Sequence, residues 1–360
     1  MALTWPPEIE LLRELVSTPS VSGTEAAVGR LVEARAHEWG LDVTRDEAGV
    51  RIEVRGGAPG PTLALVSHLD TVPAGEGWTR DPFRATIEEG RLYGRGAGDA
   101  KGPVAAMLAA AWDVAREKRL ECGRLLVILG YGEETRLTTM PEAVRRSGVI
   151  DAAVIGEPTN LDFAVAQRGL MMVDLVAAGD QRHAGYASTD GEFTNAAIVL
   201  AGDLLKLAAL FPDRPHPVLG APTVTPTMLD AGVSRNVTPP SARAVLDIRS
   251  TPSWPHDQIA ERLRRALASE VVVTSDRLVP CETPAASRLL PVMQALRPAS
   301  RCYGSPTCSD WVFLRDRDVV KCGPGTSRRS HTPDEYVDLH EISAARDFYA
   351  RVAREYLAWA

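Results

Sequence analysis

The sequence predicts an α/β protein, a three-layer sheet with helices on both faces, interrupted by an inserted ferredoxin-like α+β lid domain. Three observations carry this expectation. Short apolar runs alternate with helix-patterned stretches in both flanks of the chain, the pattern of strands buried on both faces. The middle of the chain reads strand, helix, strand, strand, helix, strand, which is the split βαββαβ arrangement. And 360 residues exceed what one ordinary hydrophobic core holds.

Residues 8–17 and 23–40 carry apolar positions at helical spacing, with Ser22 and Thr24 as start signals for the second helix. Val50–Val54 and Thr62–Val66 are β-rich runs, and Pro103–Lys118 is an Ala-rich helical stretch. Arg124–Tyr131 reads as a buried strand, 140–147 as a helix and Ala152–Ile155 as another buried strand. From Leu170 the pattern changes. Leu170–Ala178, Thr223–Asp230, Arg243–Arg249 and Val271–Thr274 are strands, and Thr194–Phe211 and His256–Leu267 are helices. The α/β pattern resumes after Pro280 and ends in a helix at Glu341–Ala358. The expected division is therefore a catalytic domain in two parts, 1–167 and 279–360, with a lid or dimerisation domain inserted at 168–278.

Composition narrows the function classes. A net charge of −7 without a basic cluster argues against nucleic acid as a partner. No apolar run is long enough to span a membrane, and the N-terminus lacks a basic segment followed by an apolar one. The expected location is the cytoplasm. Cys122, Cys281, Cys302, Cys308 and Cys322 show no disulfide framework, and an odd count suits reduced thiols. Cys302 and Cys308 lie six apart, wider than zinc-binding cysteine pairs usually stand.

Five polar islands interrupt the sheet pattern, each expected to follow or close a strand: Ser67–Asp70, Gly98–Gly102, Gly132–Thr135, Gly156–Thr159 and Ser330–Pro333. Open α/β sheets gather ligand sites at the carboxyl ends of their strands. Two histidines and several carboxylates at one sheet edge would repel one another unless cations neutralise them. Mixed imidazole and carboxylate ligation suits zinc, cobalt or manganese rather than calcium. Two divalent ions need a bridging carboxylate and two further ligands each. Asp99 is short-armed and suits the bridge; His68 with Glu157 completes one ion, and Glu134 with His331 the other. Asp70, two residues after His68, has the reach to orient that imidazole through its other nitrogen. Glu133 stands beside a ligand and suits a general base, taking a proton from the attacking water and passing it to the leaving amine. Taken singly, a Glu-Glu pair is ordinarily a solvated surface and a lone histidine ordinarily structural. The joint pattern carries the reading.

These islands resemble the M20 family of metallopeptidases and amidohydrolases. SHLDTVP (67–73), GRGAGDAKG (94–102), GYGEET (130–135), GEPT (156–159) and SHTPDEYV (330–337) follow its motifs in order across nearly the whole chain. The resemblance implies a zinc-dependent exopeptidase-like domain with two zinc ions, cobalt being the other option, and a lid that forms a homodimer. It also implies roles for four further residues. His183 would reach the partner subunit's active site and polarise the scissile carbonyl. Asn236 and Arg249 would close on the substrate's carboxylate, where a guanidinium fork fits well. Gly325, in Gly323–Gly325, would offer a backbone N–H to an anion. For Arg249 the alternative is a structural salt bridge, and for His183 a surface loop.

The expected reaction is hydrolysis of the N-acyl amide of a small amino acid with a free α-carboxylate, in arginine or lysine biosynthesis. Within the family, GEPTN followed by AVAQRG is similar to the acetylornithine deacetylase type, and GAGDAKGP to the deacylase that acts on a carrier-bound lysine precursor. The segment 305–314 departs from the pattern of several relatives, which leaves the substrate's side chain open, and the branch resemblance favours acetyl over succinyl. A dipeptidase or carboxypeptidase built on the same centre is the near alternative. A silent binding protein would have lost a ligand or the base, and none is lost. A serine hydrolase would need a Gly-x-Ser-x-Gly elbow, which is absent, and Cys308 has no evident histidine partner nearby.

Overall fold

The computed structural model describes residues 5–117, 120–135, 137–187 and 193–358; Lys118, at the end of the expected Pro103–Lys118 helix, lies outside them. The chain divides into two compact units. The first holds Met1–Val165, Thr283–Tyr303 and Ser309–Ala360, and the second Ala166–Glu282 and Gly304–Cys308.

The first unit opens with α1 (Pro7–Val16), α2 (Ala26–Glu38), β1 (Asp42–Asp46), β2 (Gly49–Arg55) and β3 (Ala58–His68). It continues through β4 (Thr86–Glu88), β5 (Arg91–Tyr93), α3 (Lys101–Glu117), β6 (Cys122–Gly130), α4 (Met140–Arg146) and β7 (Ala152–Ile155). Strand β8 (Phe163–Gln167) leads out of it. The second unit contains β9 (Gly169–Ala178), α5 (Ala196–Lys206), β10 (Thr223–Ala231), β11 (Ser241–Ser250), α6 (His256–Ala266) and β12 (Glu270–Leu278). After the short β13 (Cys281–Glu282) come α7 (Leu289–Leu296), β14 (Cys302–Ser305), β15 (Asp318–Lys321), β16 (Tyr336–Asp338) and α8 (Leu339–Ala358).

The main sheet runs in the order β1-β2-β6-β3-β7-β15-β8. Strands β6, β3, β7 and β15 are parallel, and their registers align His68 with Gly130, Val66 with Ile155 and Ile155 with Lys321. Adjacent parallel strands therefore stop at one edge, and whatever follows them is delivered there. The middles of β3, β6 and β7 are apolar: Leu63, Leu65, Val127, Leu129 and Val154 are wholly buried because helices cover both faces. Helix α3 is buried along Val104–Ala111 and packs with α1 and α8. The small alanine side chains let these helices approach closely.

The second unit has sheet order β10-β11-β9-β12, all neighbours antiparallel, which is the ferredoxin-like arrangement. Strand β9 alternates buried and half-buried residues, with Met171, Val173, Leu175 and Ala177 facing α5 and α6. Strand β10 is different. It lies at the sheet edge and is almost wholly exposed, Met228 and Leu229 included.

Two local expectations need correction. Ser22 and Thr24 do not start α2, which begins at Ala26 without a side-chain cap. Their hydroxyls are committed elsewhere, Ser22 donating to Asp70 Oδ2 at 2.6 Å and Thr24 to the Val21 carbonyl at 2.6 Å. Nor does every polar island close a strand. Asp99 lies in a glycine turn that leads into α3, and His331 lies in a turn preceding β16 with φ of 63°.

Candidate metal centre

Three strand ends supply most of the site. His68 is the last residue of β3, Glu133 and Glu134 follow β6, and Glu157 follows β7. Between β6 and Glu133, Gly132 adopts φ of +68°, a left-handed conformation that turns the chain back toward β3. The N–H groups of Glu133 and Glu134 then donate to Asp70 Oδ1 and Oδ2, each at 3.0 Å. The Asp70 carboxylate is wholly buried, and His68, Ser22 and these amides outweigh its burial and hold it near 2.

Asp70 thus organises two segments at once, more than its expected part. His68 Nδ1 lies 3.1 Å from the Asp70 backbone carbonyl and 3.5 Å from its carboxylate Oδ1. The carbonyl is the nearer partner because the carboxylate serves the loop amides. Either way, an acceptor at Nδ1 points Nε2 into the site.

What Nε2 meets is informative. It is buried, makes no aligned hydrogen bond, and stands 3.3 Å from Asp99 Oδ1 and 3.8 Å from Glu157 Oε1. On the other side, His331 Nε2 stands 3.0 Å from Glu134 Oε1 and 3.7 Å from Asp99 Oδ2. The two oxygens of Asp99 therefore face different histidines. Donor atoms of His68, Asp99 and Glu134 all lie within 4.8 Å of one another. An orphaned imidazole nitrogen amid carboxylate oxygens fits divalent cations.

The electrostatics agree. Burial pushes the Glu133 carboxyl well above the usual range, with Glu157, Asp310 and Glu134 pushing the same way against His68. Burial and Asp99 lift Glu157 to about 8. His68 is raised despite its burial, by Asp70 and Asp99. His331 is raised chiefly by its hydrogen bond to Glu134. This is a cluster short of positive charge.

Four buried groups around it escaped the sequence reading. Glu335 Oε1 accepts from the N–H groups of Gly98 and Asp99, and its Oε2 pairs with Arg95 at 2.6 Å. Lys101, within the GDAKG island, is wholly buried, donates to the Thr18 carbonyl at 2.9 Å and is pushed by burial to about 7. Burial also lifts Asp310 to about 7. Short charged motifs such as GRG and DEY do carry these residues, but their partners are distant in sequence.

Of the remaining expected residues, His183, Asn236 and Arg249 lie in the second unit and Gly325 lies in the first, beside Gly98 and Pro158. In the second unit His183 is exposed and its Nδ1 accepts from Gly185 N–H at 3.1 Å. The Asn236 carbonyl accepts from Ala184 N–H at 2.8 Å, so these two segments are neighbours. Arg249 already grips Asp247 with both arms, at 2.8 and 3.0 Å. In the first unit the Gly325 N–H donates to Glu341 at 3.0 Å, and that of Gly323 to Thr159 Oγ1 at 3.1 Å. The anion that Gly325 meets is thus a side chain of its own protein, and the Arg249 fork is filled by a neighbouring aspartate.

The chain resembles known proteins over nearly its whole length. The chain is 29% identical to succinyl-diaminopimelate desuccinylase 2 of Ruegeria sp., with 97% of this chain and 94% of the relative covered. It is 30% identical to succinyl-diaminopimelate desuccinylase of Methylorubrum extorquens, covering 97% and 98%. In fold it is similar to a dinuclear metal binding peptidase of the M20 family from Bacillus subtilis. There the TM-score is 0.77, at 17% identity, over 98% of each chain. No helix among the described residues is long and apolar enough to cross a membrane. Residues 64–355 match the model of peptidase family M20/M25/M40, and the chain belongs to that family of metal-dependent hydrolases that cleave amide bonds.

Proposed function

We propose that this hydrolase removes the acyl group from an N-acylated amino acid carrying a free α-carboxylate, at a centre of two divalent ions. The observation that carries the reading is Asp99, whose Oδ1 lies 3.3 Å from His68 Nε2 and whose Oδ2 lies 3.7 Å from His331 Nε2. A carboxylate shared in that way suits two ions about 3.5–4 Å apart. His68 and Glu157 would hold one ion, and Glu134 and His331 the other. The oxygen- and nitrogen-only donor set favours zinc, with cobalt as the alternative.

When bound, the ions supply Lewis acidity that polarises the acyl carbonyl and acidifies the attacking water. The protein supplies the proton transfer. Glu133, with its carboxyl raised by burial, takes a proton from water and delivers it to the departing amine. His183 polarises the carbonyl from the partner subunit. Asn236 and Arg249 meet the substrate's carboxylate, Arg249 exchanging Asp247 for it; Gly325 would likewise have to release Glu341. The exposed edge strand β10, with Met228, Leu229 and the nearby Val233, supports pairing of two lids into a homodimer.

The names of the two curated relatives move succinyl-diaminopimelate, in lysine synthesis, ahead of N-acetylornithine as the first substrate to test. The assay compares succinyl-diaminopimelate, N-acetylornithine, N-acetylcitrulline, N-acetyllysine and dipeptides in defined zinc or cobalt. Dipeptide turnover exceeding that of every acyl amino acid would overturn the deacylase reading.

A further inference from the structure

Glu335 and Arg95 form an ion pair that nothing in the reaction uses directly, yet both are almost wholly buried, at 1% and 2% exposure. Burying two charges is costly unless every donor and acceptor is well placed. Here the placement is specific. Glu335 Oε2 takes Arg95 Nη1 at 2.6 Å, while its Oε1 takes the N–H groups of Gly98 at 3.0 Å and Asp99 at 3.1 Å. The Glu335 carbonyl accepts from Gly94 N–H at 2.9 Å, so backbone and side chain both grip the turn before α3. Arg95 is anchored in turn by the Ala74 carbonyl at 2.9 Å and by the Trp78 ring. Next door, Asp334 binds the N–H and hydroxyl of Thr79.

The consequence follows from chain position. Glu335 stands four residues after His331, and it holds the backbone of Asp99. His331 is half exposed and its ring meets Glu134 and Asp99, while its turn is held locally by Thr332, which donates to the Arg329 carbonyl, and is followed directly by the Glu335 clamp. We propose that Glu335 is a positioning residue of the metal centre. Clamped by Arg95, it sets the spacing between the bridging carboxylate and the histidine of the second ion. This rests on the two-ion reading given above. Second-sphere partners of this kind typically tune metal affinity by about 10- to 100-fold.

The test is stepwise titration of zinc into the metal-free full-length protein, with the cobalt absorption spectrum as a second readout. Glu335→Gln keeps the shape and one carbonyl oxygen but loses the charge pairing with Arg95. It should weaken the second binding step about tenfold and shift the cobalt spectrum. A single truncation would leave Arg95 buried and unpaired, so the stronger variant is the double Arg95→Met/Glu335→Leu, which removes both charges at similar volume. Its loss in the second step should approach about 100-fold. The control is Glu8→Leu/Arg346→Met, which removes a half-buried pair, at 2.5 Å, that bonds none of the candidate metal ligands, and also frees Asp113, the other partner of Arg346. It should alter thermal stability without moving either binding constant. If both Glu335 variants are folded by circular dichroism and bind two ions with wild-type constants and spectra, the positioning role is overturned. A wild-type protein that binds only one ion would overturn the two-ion reading and this role together.

Discussion

The candidate centre of the first unit and the expected substrate residues of the second are built on opposite lines. His68, Asp70, Asp99, Glu134 and Glu157 are buried or nearly so, and they crowd oxygens and nitrogens together without enough protons to satisfy them. His183, Asn236 and Arg249 are exposed or half exposed and already satisfied by their own neighbours. The first group is preorganised, with donors that suit cations. In the second, Arg249 holds Asp247 and His183 Nδ1 takes the Gly185 N–H, so the roles proposed for them call on substrate or another subunit. Burial distinguishes the two groups.

Breaking the first group should have the largest effect. Asp99→Ala removes the shared carboxylate, and loss of activity by at least about four orders of magnitude is expected, together with loss of one or both ions by elemental analysis. Glu133→Gln comes next. Turnover should fall about 100- to 10,000-fold while both ions stay bound, and wild-type turnover in that variant would refute the base assignment.

The second group should show smaller losses and a different signature. His183→Ala is expected to lower kcat/KM about 100- to 1000-fold with ion binding unchanged. Because the histidine is proposed to act across a dimer, mixing His183→Ala with Glu133→Gln chains should restore part of the activity through sites that carry both intact residues. No recovery after subunit exchange would place His183 in its own chain's site or outside catalysis.

The smallest effect concerns pH in the second unit. His256 Nε2 meets Ser250 Oγ at 2.7 Å and its Nδ1 meets the Asp276 carbonyl at 2.7 Å, which suits a neutral ring. Burial lowers its pKa below 6.5, with Asp276 and Asp257 opposing. A histidine whose folded pKa is depressed gives full stability above 6.5, and the unfolded chain gains protons first as pH falls. Stability of this unit should therefore decline as pH drops below 6.5, and His256→Gln should flatten that decline in thermal melts.

Much of this was legible in the sequence for a physical reason. Continuous apolar runs such as Leu125–Leu129 mark strands buried on both faces, and the polar residues after them must emerge at the strand ends. That logic places His68, Glu133, Glu134 and Glu157, and the repulsion among them points to cations. It does not place Asp99 or His331, which stand in turns rather than at strand ends; the Asp99 N–H meets an acceptor, Glu335, that lies 236 residues away. Such contacts leave no periodicity to read. The short strands β4, β5 and β16 were missed for the same reason: three residues each are too few for an alternation to show. Arg249 and Gly325 show a further limit, since a motif gives the residue but not the neighbour that already occupies it.

The most direct test of a centre organised around Asp99 is anomalous X-ray scattering from zinc-loaded crystals. Two peaks about 3.5–4 Å apart are expected, with Asp99 between them, His68 and Glu157 at one and Glu134 and His331 at the other. A single peak, or two peaks that do not share Asp99, would contradict it.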